Sequence, residues 1–357
     1  MNFRTLIISA ISIYALFSGN EASAVKLGPV DRVEAKIDSA GSDSADFDYY
    51  PELGGVMRTR WEMSTTTGES RFQVRNARLN LKGKVAPIIS YYFQTDFCDA
   101  GKIKILDAWT RVDILKQLFV QLGQYRMPFG TDSFRGPANY IFTNRSFMGR
   151  YMANVRGVGL KARYTFAKVP VWVEGAVFNP TAITDHNQWV KKYAYAGKVS
   201  WSPGDFKVEA GYMSLLPEDV RINLADASVG WSNGNLTLEG EYMYKHYTND
   251  AARAVHGFNV WGEYSLPLKK CIFNRLSFHG RFDSMTAHSD GKADENGILT
   301  PQLPSRSRLT VGSTLGYKYK SVNAAVRLDY EKYFYGNNTR PDSEVGDHLS
   351  LELIISF

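Results

Sequence analysis

The chain has 357 residues, 44% of them hydrophobic, a mean hydropathy of −0.28 and a formal net charge of +6. Beyond the first two dozen residues no run of about 18 apolar residues exists, which excludes a bundle of membrane-spanning helices. Two cysteines, Cys98 and Cys271, are too few for a disulfide framework. Six scattered histidines lack ligand spacing, and no nucleophile elbow, zinc-protease or phosphate-loop motif is present, so neither a metal centre nor a hydrolase has support. The basic isoelectric point near 9.0 comes without any module that alternates aromatic and basic residues, which argues against nucleic acid as a partner.

In chain order, the first element is "MNFRTLIISAISIYALFSGNEASA". Arg4, the apolar stretch Leu6–Phe17 and the small residues Ala22-Ser23-Ala24 read as an export signal over residues 1–24. Residues 25–54 read as a flexible acidic tail. Asp31, Glu34, Asp38, Asp43, Asp46, Asp48 and Glu52 outweigh Lys26, Arg32 and Lys36 there, a net of −4, so residues 55–357 carry +10.

The remainder divides into sixteen strand-like runs: 56–64, 71–83, 88–98, 103–114, 117–126, 157–166, 169–178, 192–201, 206–214, 222–231, 236–245, 256–265, 274–285, 308–318, 321–333 and 347–357. Most are close to ten residues, which at a tilt of ~45° covers roughly the 25 Å apolar band of an outer membrane. Short linkers such as "KVAP", "SPGD" and "SNGN" alternate with long ones, above all 127–156 and 286–307. Residues 65–70 and 99–102 are short exceptions on the long-loop side. The asymmetry predicts an all-β, sixteen-stranded antiparallel transmembrane barrel over 55–357. Its short turns face the periplasm and its longer loops the outside.

Side-chain parity assigns the faces. In 274–285, Leu276, Phe278, Gly280 and Phe282 point to lipid, while Arg275, Ser277, His279, Arg281 and Asp283 point inward. A lipid-facing Arg or Lys at mid-height costs roughly 2–4 kcal/mol, so the charged parity must see water. Residues 71–83 break the rule: Phe72 and Val74 share one parity, Ala77, Leu79 and Leu81 the other. A bulge there, or a strand end outside the bilayer, would reconcile them. Aromatic residues on apolar parities near strand ends, among them Trp61, Trp201, Trp231 and Tyr264, suit the membrane interfaces. The last run, ending at Phe357, closes the barrel against the first so that no edge remains. The cysteines are expected on opposite rims, Cys98 on the outer and Cys271 on the inner, too far apart to bridge.

Several stretches resemble the phosphate-selective porin O and P family of Gram-negative outer membranes: "FQVRNARLNLKGKV", "LDAWTRVD", "VQLGQYRMPFG", "TNRSF", "RGVGLKARY" and "GAVFNP", with the terminal Phe357. The likeness is densest over 71–180. It implies a sixteen-stranded porin, often a homotrimer, located in the outer membrane. It also implies a third outer loop folded into the lumen, and a C-terminal strand read by the barrel-insertion machinery.

Independently of that likeness, residues 126–156 carry Arg126, Arg135, Arg145, Arg150 and Arg156 against the single acid Asp132. Arginine rings suit anion pores, because guanidinium stays charged and offers oxyanions two donors. On the wall, Arg58, Arg60, Arg78, Arg111, Lys161 and Arg163 face inward. Lys198 and Arg275 do so too, opposed by acids such as Glu62, Asp96, Glu174, Glu209 and Glu352. The expected function is passive, moderately anion-preferring diffusion of small solutes such as phosphate and other oxyanions, with no cofactor. The bland alternative for each arginine is that it anchors the loop to lumenal carboxylates. At the level of the whole chain the rivals are a closed or plugged barrel acting as adhesin or scaffold, and an exported β-sandwich.

Overall fold

The computed structural model describes residues 50–357 apart from 100–101, 154, 182, 186, 218–219, 270–271, 292–298, 300–302 and 337–345. The export signal, most of the acidic tail and Cys271 therefore lie outside the described residues. Sixteen strands follow one another: β1 (Glu52–Ser64), β2 (Ser70–Ala86), β3 (Ile89–Asp99), β4 (Lys102–Leu115), β5 (Leu118–Arg126), β6 (Arg156–Thr165), β7 (Val171–Phe178) and β8 (Ala194–Trp201). The second half comprises β9 (Phe206–Leu215), β10 (Ile222–Asn233), β11 (Leu236–Tyr247), β12 (Val255–Pro267), β13 (Arg275–Met285), β14 (Arg306–Tyr319), β15 (Val322–Tyr335) and β16 (His348–Ser356). Each pairs antiparallel with its neighbours in sequence, and β1 pairs with β16 to close the barrel.

All sixteen runs read from the sequence are strands, with ends displaced by a few residues. One displacement alters a boundary: β1 takes in Glu52–Gly54, which the sequence reading left in the tail. Glu52 pairs across to Lys82, which draws the strand past the last hydrophobic residue. The expected faces also hold. On β16, Leu351, Leu353 and Ile355 are exposed outward, whereas Glu352, Ser350 and His348 are buried inside. Two-residue connections at 87–88, 116–117, 234–235 and 320–321 occupy one rim, and 127–155 and 286–305 belong to the other.

The irregular strand is β2, and the irregularity is a bulge. Arg58 faces Asn76 and Thr59 faces Val74, so Arg75 has no partner in the β1 ladder. One extra residue flips the parity of everything beyond it. That is why Phe72 and Val74 can face outward together with Leu79.

The apolar core lies inside the barrel. Met127, Phe129, Phe147, Met148 and Met152 of the 127–155 connection pack against inward-facing Phe178, Met213, Leu224, Met243, Val255 and Met285. These wall residues sit on the wet parity, and the connection covers them. A short helix, α1 (Phe147–Tyr151), forms its far arm; the Ser146 side chain caps it by accepting from the Gly149 N–H at 3.1 Å.

Candidate lumenal charge site

The connection 127–155 is held across the interior by carboxylates of the wall. Gly130, at φ +77°, turns the chain inward, and its N–H donates to Asp226 at 3.2 Å. The Thr131 and Asp132 N–H groups donate to the two oxygens of Glu241 at 2.6 and 3.0 Å. The Thr131 hydroxyl donates to Glu209 at 2.8 Å. Further on, the Thr143 N–H reaches Asp329 at 2.7 Å, the Asn144 amide reaches Glu331 at 3.2 Å and the Phe147 N–H reaches Asp283 at 2.8 Å. Arginines of the wall complete the frame by donating to loop carbonyls. Arg58 reaches Thr143, Arg281 reaches Asn144, Arg308 reaches Arg145 and Arg327 reaches Phe142.

Those arginines are themselves neutralised. Arg58 meets Glu352 at 2.6 Å, Arg327 meets the other oxygen of Glu352 at 3.1 Å, and Arg308 lies between Asp283 and Glu331 at 3.1 and 3.0 Å. A charge this buried is tolerated only with a partner and satisfied hydrogen bonds. The loop thus completes a network that the barrel alone would leave open.

The five loop arginines fall into different surroundings. Arg135 pairs with Asp132 at 3.1 Å and with Glu239, and lies over the Trp261 ring at 5.0 Å. Arg145 donates to the Tyr140 hydroxyl at 2.5 Å and to the carbonyls of Ser133 and Arg135 at 2.8 and 2.6 Å. Arg126 donates to the Ser133 carbonyl, and Arg156 pairs with Asp107 at 3.2 Å. Arg150 is exposed and lies over the Tyr151 ring at 5.0 Å.

On the wall, the expected cations other than Arg275 have an acid beside them. Arg60 pairs with Glu62 at 2.6 Å, Arg78 with Asp96 at 2.8 Å and Arg111 with Asp113 at 2.7 Å. Lys161 and Arg163 share Glu174 at 3.1 and 2.5 Å. Two loop groups register the field these charges produce. Burial alone would push the Tyr140 phenol up, but Arg145, Arg58, Arg126 and Arg78 bring it below its ordinary 10. Burial likewise opposes ionisation of Asp132, yet Arg135, Arg145 and Arg281 hold its carboxyl below the ordinary 3.8.

One candidate residue escaped the sequence reading. Arg75, the bulge residue of β2, is half-buried on the inner face beside Asn76 and makes no ion pair among the described residues. It is close enough to Arg60, Arg58 and Arg150 for their charges to act on it, and the Tyr140 phenol is the group of opposite tendency nearby. The signal was present: the parity break in "FQVRNARLNL" marks the place where one extra side chain must turn inward.

A closed sixteen-stranded barrel with most of its charges inside and apolar residues over its exterior has the architecture of an outer-membrane porin. Residues 63–230 match the profile of the family described as phosphate-selective porin O and P. No curated protein matches the chain in sequence. Solved structures share its fold at low identity. The anion-selective porin from Comamonas acidovorans is 11% identical, with 86% of this chain and 98% of that chain covered at a TM-score of 0.59. OprB of Pseudomonas putida is 12% identical, covering 86% and 94% at 0.61. OmpT of Vibrio cholerae in its trimer form is 11% identical, covering 86% and 99% at 0.55.

Proposed function

We propose that the protein lets small anions, phosphate and other oxyanions among them, diffuse passively through its lumen with a moderate preference over cations. The observation that carries this reading is the position of Arg75. A bulge aims it inward, the guanidiniums of Arg60, Arg58 and Arg150 act on it, and among the described residues no carboxylate pairs with it. Arg150 adds an exposed guanidinium to the same neighbourhood. In the interior several positive charges within a screening length of ~8 Å lower the energy of a passing anion and raise that of a cation. The ion-paired wall arginines contribute more weakly, since each acid beside them cancels most of their far field. The name of the matched family and the anion-selective porin among the structural neighbours point the same way.

In this reading the rim of two-residue turns faces the periplasm and the long connections face outward. The C-terminal strand is the segment that the insertion machinery reads, and the trimeric neighbour makes a homotrimer the assembly to look for.

The test is the reversal potential across a planar bilayer in a KCl gradient. The wild-type channel should favour chloride, and Arg75→Glu together with Arg150→Glu should move the potential towards potassium. Replacing Arg135 and Arg145 by alanine should instead raise current noise, because those side chains hold the loop. A wild-type channel that already prefers potassium would overturn the proposal.

A further inference from the structure

The inner face of β3–β7 carries a feature that an inorganic anion does not require. Tyr92 of β3 and Trp109 of β4 are cross-strand partners on the inward parity, and their rings stack with centroids 5.4 Å apart at 26°. Both remain partly exposed. Gly123 of β5 stands opposite Trp109 at φ +137°; a Cβ there would meet the Trp109 Cα at 2.6 Å, so the glycine makes the close approach possible. Towards the short-turn rim the same face continues with Arg111, whose guanidinium lies 3.9 Å over the Phe119 ring. Arg163 follows, 4.3 Å over Trp172, with its side chain 30% exposed. Flat rings and guanidiniums therefore alternate along the height of the wall.

The membrane-interface explanation cannot apply to these rings, because they point away from lipid. Packing under the 127–155 connection accounts for one edge of Trp109, which borders the apolar cluster, but Tyr92 and Trp172 lie outside that cluster. Water gains nothing from a wall of this kind. A solute with a flat, weakly hydrated face does: it stacks on an exposed ring, while its charge stays within reach of a cation one step along the strand, ~7 Å away.

We propose that the inner face of β3–β7 is a binding track for organic anions that combine an acidic group with a flat ring. The ring lies on the Tyr92–Trp109 pair, and the acidic group meets Arg111 and then Arg163. This rests on the anion-conducting reading above and narrows its solute class. The shared chemistry is that of an aromatic carboxylate or of a phosphorylated sugar, whose ring presents an apolar face.

The experiment measures block of the chloride current through single channels. Four probes are compared: benzoate against acetate, and glucose 6-phosphate against orthophosphate. Each ringed probe should block at a concentration roughly threefold to tenfold below that of its ringless partner, the range expected for one stacked ring pair. Trp109→Ala should abolish that difference and Trp109→Phe should keep it. If Trp109→Ala fails to give a heat-modifiable, folded band, Tyr92→Leu preserves bulk without a ring and reads the same quantity. Block by benzoate alone or by glucose 6-phosphate alone would support the track and tell which ring it takes. Equal block by ringed and ringless probes, or a ring advantage untouched by both variants, would overturn it. A potassium-preferring wild type would defeat the anion reading instead, a result separable from the probe series.

Discussion

On β9–β16 the inward carboxylates Glu209, Glu241, Asp283, Asp329 and Glu331 each accept from the loop or from an arginine that grips it. On β1–β8 the inward acids Glu62, Asp96, Asp113 and Glu174 serve neighbouring wall cations instead, and Arg75 is left over. The two halves use the same residue types. They differ in whether the acid answers a loop donor or a wall cation. Where acids hold the loop, the negative charge is covered by it. Where cations exceed acids, positive charge faces the lumen. A wall that looks mixed when its residues are counted is therefore segregated in space, and the loop does the segregating.

The contrast can be broken most forcefully at Glu352. It is fully buried and bridges Arg58 and Arg327, which between them hold three loop carbonyls. Glu352→Gln removes one side of a buried ion-pair network, a loss of about 3–5 kcal/mol. It should lower the temperature at which the folded band disappears on a heat-modifiability gel. Asp113→Asn on the other half, where both the carboxylate and its partner Arg111 keep some exposure, should lower it far less. Equal losses would mean that the halves do not differ in holding the loop.

A smaller effect sharpens the electrostatic side. Glu174→Gln leaves Lys161 and Arg163 without their shared acid. One charge about 10 Å away in water is worth ~0.4 kcal/mol to an anion and as much, with opposite sign, to a cation, so the anion-to-cation permeability ratio should rise by up to roughly fourfold. A ratio that stays put would show that this part of the wall is remote from the ion path.

Acidification together with one substitution probes a single carboxylate of the loop. The Asp132 carboxyl is held below 3.8 in the folded protein, so its contribution is complete above the unfolded value and disappears as pH falls through the lower folded one. Channel noise should therefore stay level from neutrality to about pH 4 and rise only below that. In Asp132→Asn the rise attributable to this group should already be present at neutral pH. Noise that grows between pH 7 and 5 in the wild type would place the sensitive group elsewhere.

The least perturbing test concerns orientation. Cys98 lies near the end of β3 on the long-loop rim, unbridged and partly exposed. In a Cys271→Ser background a membrane-impermeant thiol reagent added to whole cells should label it. Labelling only after the cells are opened would invert the barrel.

Strand number, order and face were legible because alternation has a period of two and a lipid-facing charge is prohibitive. Phe278 and Arg281 declare their sides by chemistry alone. The inward methionines were less legible. Met213, Met243 and Met285 sit on the wet parity, and only a loop folded over them explains apolar residues there. The roles of Arg135 and Arg145 could not be read either. Which carboxylate a loop arginine meets depends on strands more than a hundred residues away, and no local pattern encodes it. Arg75 was half-legible: the parity break located the bulge, but not the absence of an acid beside it.

The seam between β1 and β16 has a consequence for how the molecule forms. Gly55 and Phe357 exchange backbone hydrogen bonds of 3.0 and 3.1 Å, and the Phe357 ring occupies the space a Cβ on residue 55 would need. Every other strand pairing joins neighbours in sequence, so it can form as a hairpin as the chain emerges. The seam alone joins segments about 300 residues apart, a closure entropy of roughly 5 kcal/mol for a free chain. Fifteen pairings are local and one is not, which makes the seam the slow, last event of assembly. Until then both edge strands remain open templates, so the timing of a single ring against a single glycine separates a finished barrel from an aggregating sheet.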